Sequence, residues 1–179
     1  METILTVVGS VVAAVITAYI TTIVKLRQEH VLDIDKELRE ARIKAYKRPW
    51  GALKTLSMHS PEPPTYGELE DIVGDLTDWY YTEGGVYLTT HSQPAFRACV
   101  EGIKKVSRTK QGASGGRIGD MFHKPLFDVG SAFRTQMTLD LGSRFESEFR
   151  TQRHRRHRSE ARKKSTRAIK DLDELLAGQ

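Results

Sequence analysis

A chain with one cysteine cannot close an internal disulfide, so Cys99 is read as a small buried helix residue and the fold must be held by packing. Prolines are few, six in 179 residues, and three of them crowd into HSPEPP at residues 59–64, which leaves the flanking stretches free to be helical. No alternation of apolar and polar residues runs far enough to build a sheet. HExxH and GxxxxGK followed by Ser or Thr are both missing, which excludes the metalloproteases and nucleotide hydrolases those motifs define. Charge is missing as well between Glu2 and Lys25.

That uncharged stretch is the longest hydrophobic run. As a helix, residues 4–24 (ILTVVGSVVAAVITAYITTIV) would cover about 30 Å, the thickness of a hydrocarbon core. Thr6, Ser10, Thr17, Thr21 and Thr22 weaken its hydropathy, but their hydroxyls can bond carbonyls one turn back. The expectation is a transmembrane helix over residues 1–24, with a buried core helix as the alternative. No Lys or Arg precedes the run and no clean small-x-small site follows it, so a retained anchor is expected rather than a cleaved leader. Glu2 alone precedes the run, whereas Lys25, Arg27, Lys36 and Arg39 follow it. That bias predicts a single-pass protein of the cell inner membrane, N-terminus outside and body cytoplasmic. Gly9 with Ala13, and Ser10 with Ala14 and Ala18, make small-residue faces for helix association in a homo-oligomer; lipid-facing filler is the plainer reading.

The remainder is helical in pattern, so the fold class is all-α: an N-terminal transmembrane helix plus a cytoplasmic antiparallel helical bundle. Leu26, Val31, Ile34, Leu38, Ala41 and Ala45 recur mostly at three and four, giving a stalk and first helix over 25–58, kinked or broken where Pro49 removes an amide. Thr65 and Glu68 have capping-box spacing, and Leu69, Ile72, Val73, Leu76, Trp79 and Tyr80 form a stripe ended by Gly84 and Gly85. Val86 to Thr89 reads as a short extended run. Ser92 and Pro94 fit the entry to a third helix with Phe96, Cys99, Val100, Ile103 and Val106 inward. A fourth begins between Asp120 and Pro125 and carries Leu126, Val129, Phe133, Met137, Leu141 and Phe145, completing the bundle over 65–149. Gly130 and Gly142 each lower helix preference by about 1 kcal/mol relative to Ala, unless close packing uses the missing side chain.

Residues 150–179 differ electrostatically and are set apart as a basic C-terminal helix or tail. Arg150, Arg153, Arg155, Arg156, Arg158, Arg162, Lys163, Lys164, Arg167 and Lys170 stand against the single Glu160, so the whole-chain +5 is concentrated here. Three readings compete: contact with anionic lipid, contact with an acidic protein, and a solvated face. Nucleic-acid backbone binding uses the same attraction, but the tract has no finger, Gly-rich RNA loop or interleaved aromatics for base recognition.

The other polar features are weaker. His154 and His157 sit among cations that oppose a metal ion, and His59, His91 and His123 are scattered; no metal and no cofactor are expected. GASGGRIG reads as a flexible connection rather than a phosphate cradle. Trp79, Tyr80, Tyr81, Tyr87 and His91 surround the two-glycine corner and form either a core corner or an aromatic contact patch. Catalysis through His91 would need a nucleophile or pocket that spacing does not supply.

Taken together, KLRQEH…DIDKELREARIKAYKRPW, DWYYTEGGVYL and FRTQMTLDLGSR resemble small uncharacterised bacterial single-pass membrane-anchored helical proteins across much of residues 25–145. The resemblance brings no catalytic signature. The functional expectation is a membrane-anchored interaction or scaffold protein whose basic tail meets anionic lipid or an acidic partner. Nucleic-acid backbone binding and an enzyme with a non-motif site in the helical body are the alternatives.

Overall fold

The computed structural model describes residues 2–57, 60, 62–109, 116–142 and 148–178, with side chains described within 16–141 and from Arg156 onward, Val31 excepted. The elements are α1 (Glu2–Ala52), α2 (Tyr66–Trp79), a π-turn (Tyr80–Gly84), a 3-10 turn (Gly85–Tyr87), α3 (Ser92–Ser107), α4 (Asp120–Gly142) and α5 (Glu148–Ala177). The chain divides into two compact units, Met1–Ala41 and Arg42–Gln179.

The first unit is helical. Thr21 Oγ1 donates to the Thr17 carbonyl and Thr22 Oγ1 to the Ala18 carbonyl, both at 2.8 Å, which is how these hydroxyls are expected to be satisfied in a helix. Among the described residues, however, no helix is long and apolar enough to cross a membrane. This overturns the transmembrane helix and, with it, the single-pass inner-membrane location, the outside N-terminus and the cytoplasmic placement of the body. The membrane and anionic-lipid partners and the membrane-anchored scaffold lose their premise, and so does the resemblance to membrane-anchored proteins.

The all-α, antiparallel-like bundle stands, and it lies in the second unit. There α3 contacts α2, α4 and α5, and α4 contacts α5. The predicted stripes form the core: Leu69, Ile72, Leu76 and Trp79 of α2 meet Phe96, Cys99, Ile103 and Val106 of α3, and Leu126, Val129, Phe133 and Met137 of α4. Burying a side chain of this size contributes about 1.5–3 kcal/mol. Ala168 and Leu172 of α5 join the same core, so the basic segment is part of the fold.

Pro49 does not break α1; it lies inside the helix, which continues to Ala52. A proline deprives the carbonyl four residues earlier of its helical donor, here that of Ala45. The Trp79 indole N–H takes that carbonyl at 2.8 Å, so the defect becomes a bond between helices. Trp79 is fully buried with its ring 6.2 Å from Tyr46, 5.9 Å from Phe96 and 6.3 Å from Phe133. Beyond it the helix widens into the π-turn, where a Cβ on Gly84 would overlap the indole and one on Gly85 would overlap the Tyr80 carbonyl. In the Val86–Thr89 run, Val86 and Tyr87 belong to the 3-10 turn, and Leu88 leaves it in an extended conformation.

The capping box at α2 is present: the Thr65 amide donates to Glu68 Oε2 at 2.7 Å and the Glu68 amide to Thr65 Oγ1 at 3.2 Å. Across from it, the Tyr66 amide bonds the Gly116 carbonyl and the Ile118 amide the Pro64 carbonyl, both at 3.1 Å, which fixes the entry to α4. Arg134 of α4 closes the other end by donating to the Leu53 and Leu56 carbonyls at 2.8 and 3.1 Å. Burial lowers the Arg134 pKa from its ordinary value.

Candidate binding groove

Two polar features lie side by side at the start of α3. The first is a closed network centred on Asp140, which sits at the inward register of α4 and is 1% exposed. Asp140 Oδ1 accepts Thr89 Oγ1 at 2.8 Å, and Oδ2 accepts Ser92 Oγ at 2.5 Å and Tyr46 Oη at 3.2 Å. The Asp140 carbonyl accepts Arg42 Nη1 at 3.2 Å. Tyr46 Oη also reaches the Tyr87 carbonyl at 2.9 Å. Burial, then the neighbouring carboxylate, drives the Tyr46 phenol well above its ordinary pKa, so it stays protonated and donating.

This network has the atoms of a serine–carboxylate pair but not the access. Ser92 is fully buried, so no substrate can meet its hydroxyl. The thiol of Cys99, also fully buried, is pushed up to about 12 by burial and is not a thiolate at neutral pH. What the network does is hold α1, the turn before α3, the first residue of α3 and the end of α4 at one point. It also uses up the α3 N-terminus: the Ser92 and Gln93 amides bond the Thr89 carbonyl at 3.0 and 3.1 Å.

The second feature is a groove of about 510 Å³ between α3 and α5, within the size range of small-ligand sites. Pro94, Ala95, Ala98 and Ile169 give it apolar walls, and Thr90, Ser165 and Thr166 add hydroxyls. Its charged groups are Arg97, Arg162 and Glu101, with His91 at the α3 end. Glu101 lies 3.4 Å from Lys105, whose ammonium also pairs with Asp173 at 2.6 Å, so the two guanidinium groups outnumber the one carboxylate of the lining. Gln136 of α4 contributes to the lining; it is 2% exposed, and its Nε2 donates to the Arg158 carbonyl at 3.3 Å. Its Oε1 is buried without a donor among the described residues.

The structure sorts the predicted site residues by what α5 does with them. Lys164 turns inward, pairing with Asp128 at 3.0 Å and lying 5.0 Å from the Phe127 ring centroid. Arg156 pairs with Glu160 at 2.9 Å and Lys170 with Glu174 at 3.4 Å, both within the helix. Arg162, Lys163 and Arg167 are exposed and have no carboxylate within ion-pair reach among the described residues. Arg158 is half-buried, and its Nε has no hydrogen-bond partner among the described residues. Arg150, Arg153 and Arg155 belong to α5, but their side chains lie outside the described residues.

The aromatic residues are not gathered into one surface. Trp79 is central to the core, Tyr80 stacks on Phe96 at 4.8 Å, Tyr87 is half-buried, and Tyr81 is 81% exposed. His91 is exposed at the groove. Ala18 is exposed, whereas the side chains of Gly9, Ser10, Ala13 and Ala14 lie outside the described residues, as do His59 and His154. Among the described residues no three His, Cys, Asp or Glu groups converge as a metal site.

Asp140, Gln136 and Arg97 were not marked by motif. Asp140 and Gln136 had a signal all the same: in FRTQMTLDLG they fall on the buried side with Phe133 and Met137, where a polar residue needs an internal partner. Comparison with known protein families, curated proteins and solved structures finds no match.

Proposed function

We propose that this chain is a protein-interaction module that holds an acidic segment of a partner protein on α5. The observation that carries this reading is the unequal use of the cations. Lys164 is paired within the bundle, while Arg162, Lys163 and Arg167 face outward, with no carboxylate in ion-pair reach among the described residues, on a helix anchored through Ala161, Ala168 and Leu172. A helix seated on a core presents charges with less loss of freedom on binding than a loose tail would. Binding is favoured over catalysis because the Ser92 hydroxyl and the Cys99 thiol are both sealed in the interior.

The test is fluorescence anisotropy of a labelled, end-blocked Glu-Ala repeat peptide with the full chain. Binding should weaken steeply between low and physiological salt, as expected of exposed ion pairs, and a Gln-Ala peptide should not bind. Equal binding of the two peptides would refute the reading.

A further inference from the structure

The α3–α5 groove adds a specific seat to that cationic face. We infer that it binds an extended acidic peptide strand whose carboxylates pair with Arg97 and Arg162 while a backbone N–H of the strand supplies the donor that Gln136 lacks; this rests on the acidic-partner reading above.

Three observations converge on this occupant. Arg97 comes from α3 and Arg162 from α5, so cations from two elements border one concavity. Planar guanidinium groups match carboxylates in a two-pronged fashion that a point charge cannot. The walls between them, including Ala98 and Ile169, are apolar and suit small side chains on the strand. Gln136 is held by its bond to the Arg158 carbonyl, with its own carbonyl oxygen left unbonded among the described residues. An acceptor in that setting selects for an N–H rather than for a second anion. A phosphodiester backbone offers anions but no backbone N–H. Arg162 and Thr166 line both the groove and the outer face of α5, so a strand in the groove continues onto Lys163 and Arg167.

The experiment compares Arg97→Glu with the double variant Lys163→Glu/Arg167→Glu, using the end-blocked Glu-Ala peptide as probe. All of these residues are exposed, and thermal unfolding confirms that each variant is folded. Arg97→Glu should weaken binding by about tenfold or more, the effect of one charge-assisted pair, and the double variant should weaken it as well, because the strand runs on from the groove to Lys163 and Arg167. Replacing the central peptide amides of the probe by esters should weaken binding in the wild-type chain. If Arg97→Glu binds as the wild type does while the double variant loses binding, the groove is overturned and the outer face of α5 survives as the binding surface. If neither variant changes binding, both readings fall. An oligonucleotide of equal charge that binds as tightly as the peptide, with the same sensitivity to Arg97→Glu, would also overturn the peptide assignment.

Discussion

The indole N–H of Trp79 donates to the carbonyl of Ala45 at 2.8 Å, and that carbonyl is the one Pro49 leaves without a helical donor. Each residue accounts for the other. An interior proline would otherwise orphan a buried acceptor, and a fully buried tryptophan would otherwise hide an unpaired N–H. The pair joins α1 to the end of α2 at the centre of the aromatic cluster.

This coupling predicts non-additivity. Trp79→Phe should cost about 3 kcal/mol, combining an abandoned carbonyl with lost packing. In a Pro49→Ala background the helix can supply its own N–H to Ala45, and the cost should fall by about 1 kcal/mol. Urea unfolding of the wild type, both single variants and the double variant measures this. Additivity within about 0.3 kcal/mol would mean that the two residues act independently.

Asp140 gathers hydroxyls from Tyr46, Thr89 and Ser92 in a site closed to solvent. Asp140→Ala should cost about 3 kcal/mol, since it leaves several donors without an acceptor. Asp140→Asn keeps the shape but puts an NH₂ where a hydroxyl already donates, so an intermediate loss is expected. The discriminating measurement is chemical unfolding, with amide exchange at Thr89 and Ser92 as a local reporter. A change in unfolding free energy below about 0.5 kcal/mol for Asp140→Ala would remove the network from the list of things that hold the bundle together.

Alkaline pH should unfold the chain in a defined order. Burial pushes the Cys99 thiol up to about 12, and burial followed by the Asp140 charge raises the Tyr46 phenol. Both neutral forms are favoured by the native state. Their contributions are therefore complete below the unfolded values, about 8.5 for Cys and about 10 for Tyr, and are lost as pH rises through the folded values. Stability should begin to fall near pH 8.5, each group adding a slope of up to about 1.4 kcal/mol per pH unit. Cys99→Ala should remove the first part of that fall and Tyr46→Phe the later part. Stability that stays flat from pH 8 to 11 in the wild type would contradict both burials.

Most of the core could be read directly, because an apolar stripe at helical spacing carries its own evidence. The stripes through Leu69, Leu76 and Trp79, and through Leu126, Val129 and Phe133, identify buried faces that the structure confirms, as does the Thr65–Glu68 box. Residues 4–24 were legible only as hydropathy, and among the described residues no helix is long and apolar enough to cross a membrane. Basic residues were legible as composition but not as geometry. Nothing local to Lys164 distinguishes it from Lys163, yet one meets Asp128 and the other faces outward, because α5 docks through Ala161, Ala168 and Leu172. The groove was illegible for a related reason. Arg97 and Arg162 are far apart in sequence, and only the contact between α3 and α5 makes them neighbours of one cavity.

Glycines in similar helical company have opposite roles. At Gly84 an added Cβ would overlap the Trp79 indole, a rigid ring at the centre of the core, so Gly84→Ala should cost at least about 2 kcal/mol through overpacking. At Gly130, in the middle of α4, the nearest atoms to an added Cβ are Leu56 Cβ at 3.6 Å and Arg134 Nη1 at 3.8 Å, which is ordinary contact. Gly130→Ala therefore gains helix preference without a clash and should stabilise the chain by about 0.5–1 kcal/mol. Gly102 falls between them: its Cβ would come within 3.2 Å of the Ile169 and Leu172 methyl groups on α5, flexible ends that can yield slightly, so Gly102→Ala should be mildly destabilising. Thermal melts of the three variants give the order Gly130→Ala above wild type, Gly102→Ala slightly below it and Gly84→Ala far below. If Gly84→Ala melts with the wild type, the π-turn does not press on the indole, and the account of why two glycines stand at this corner fails.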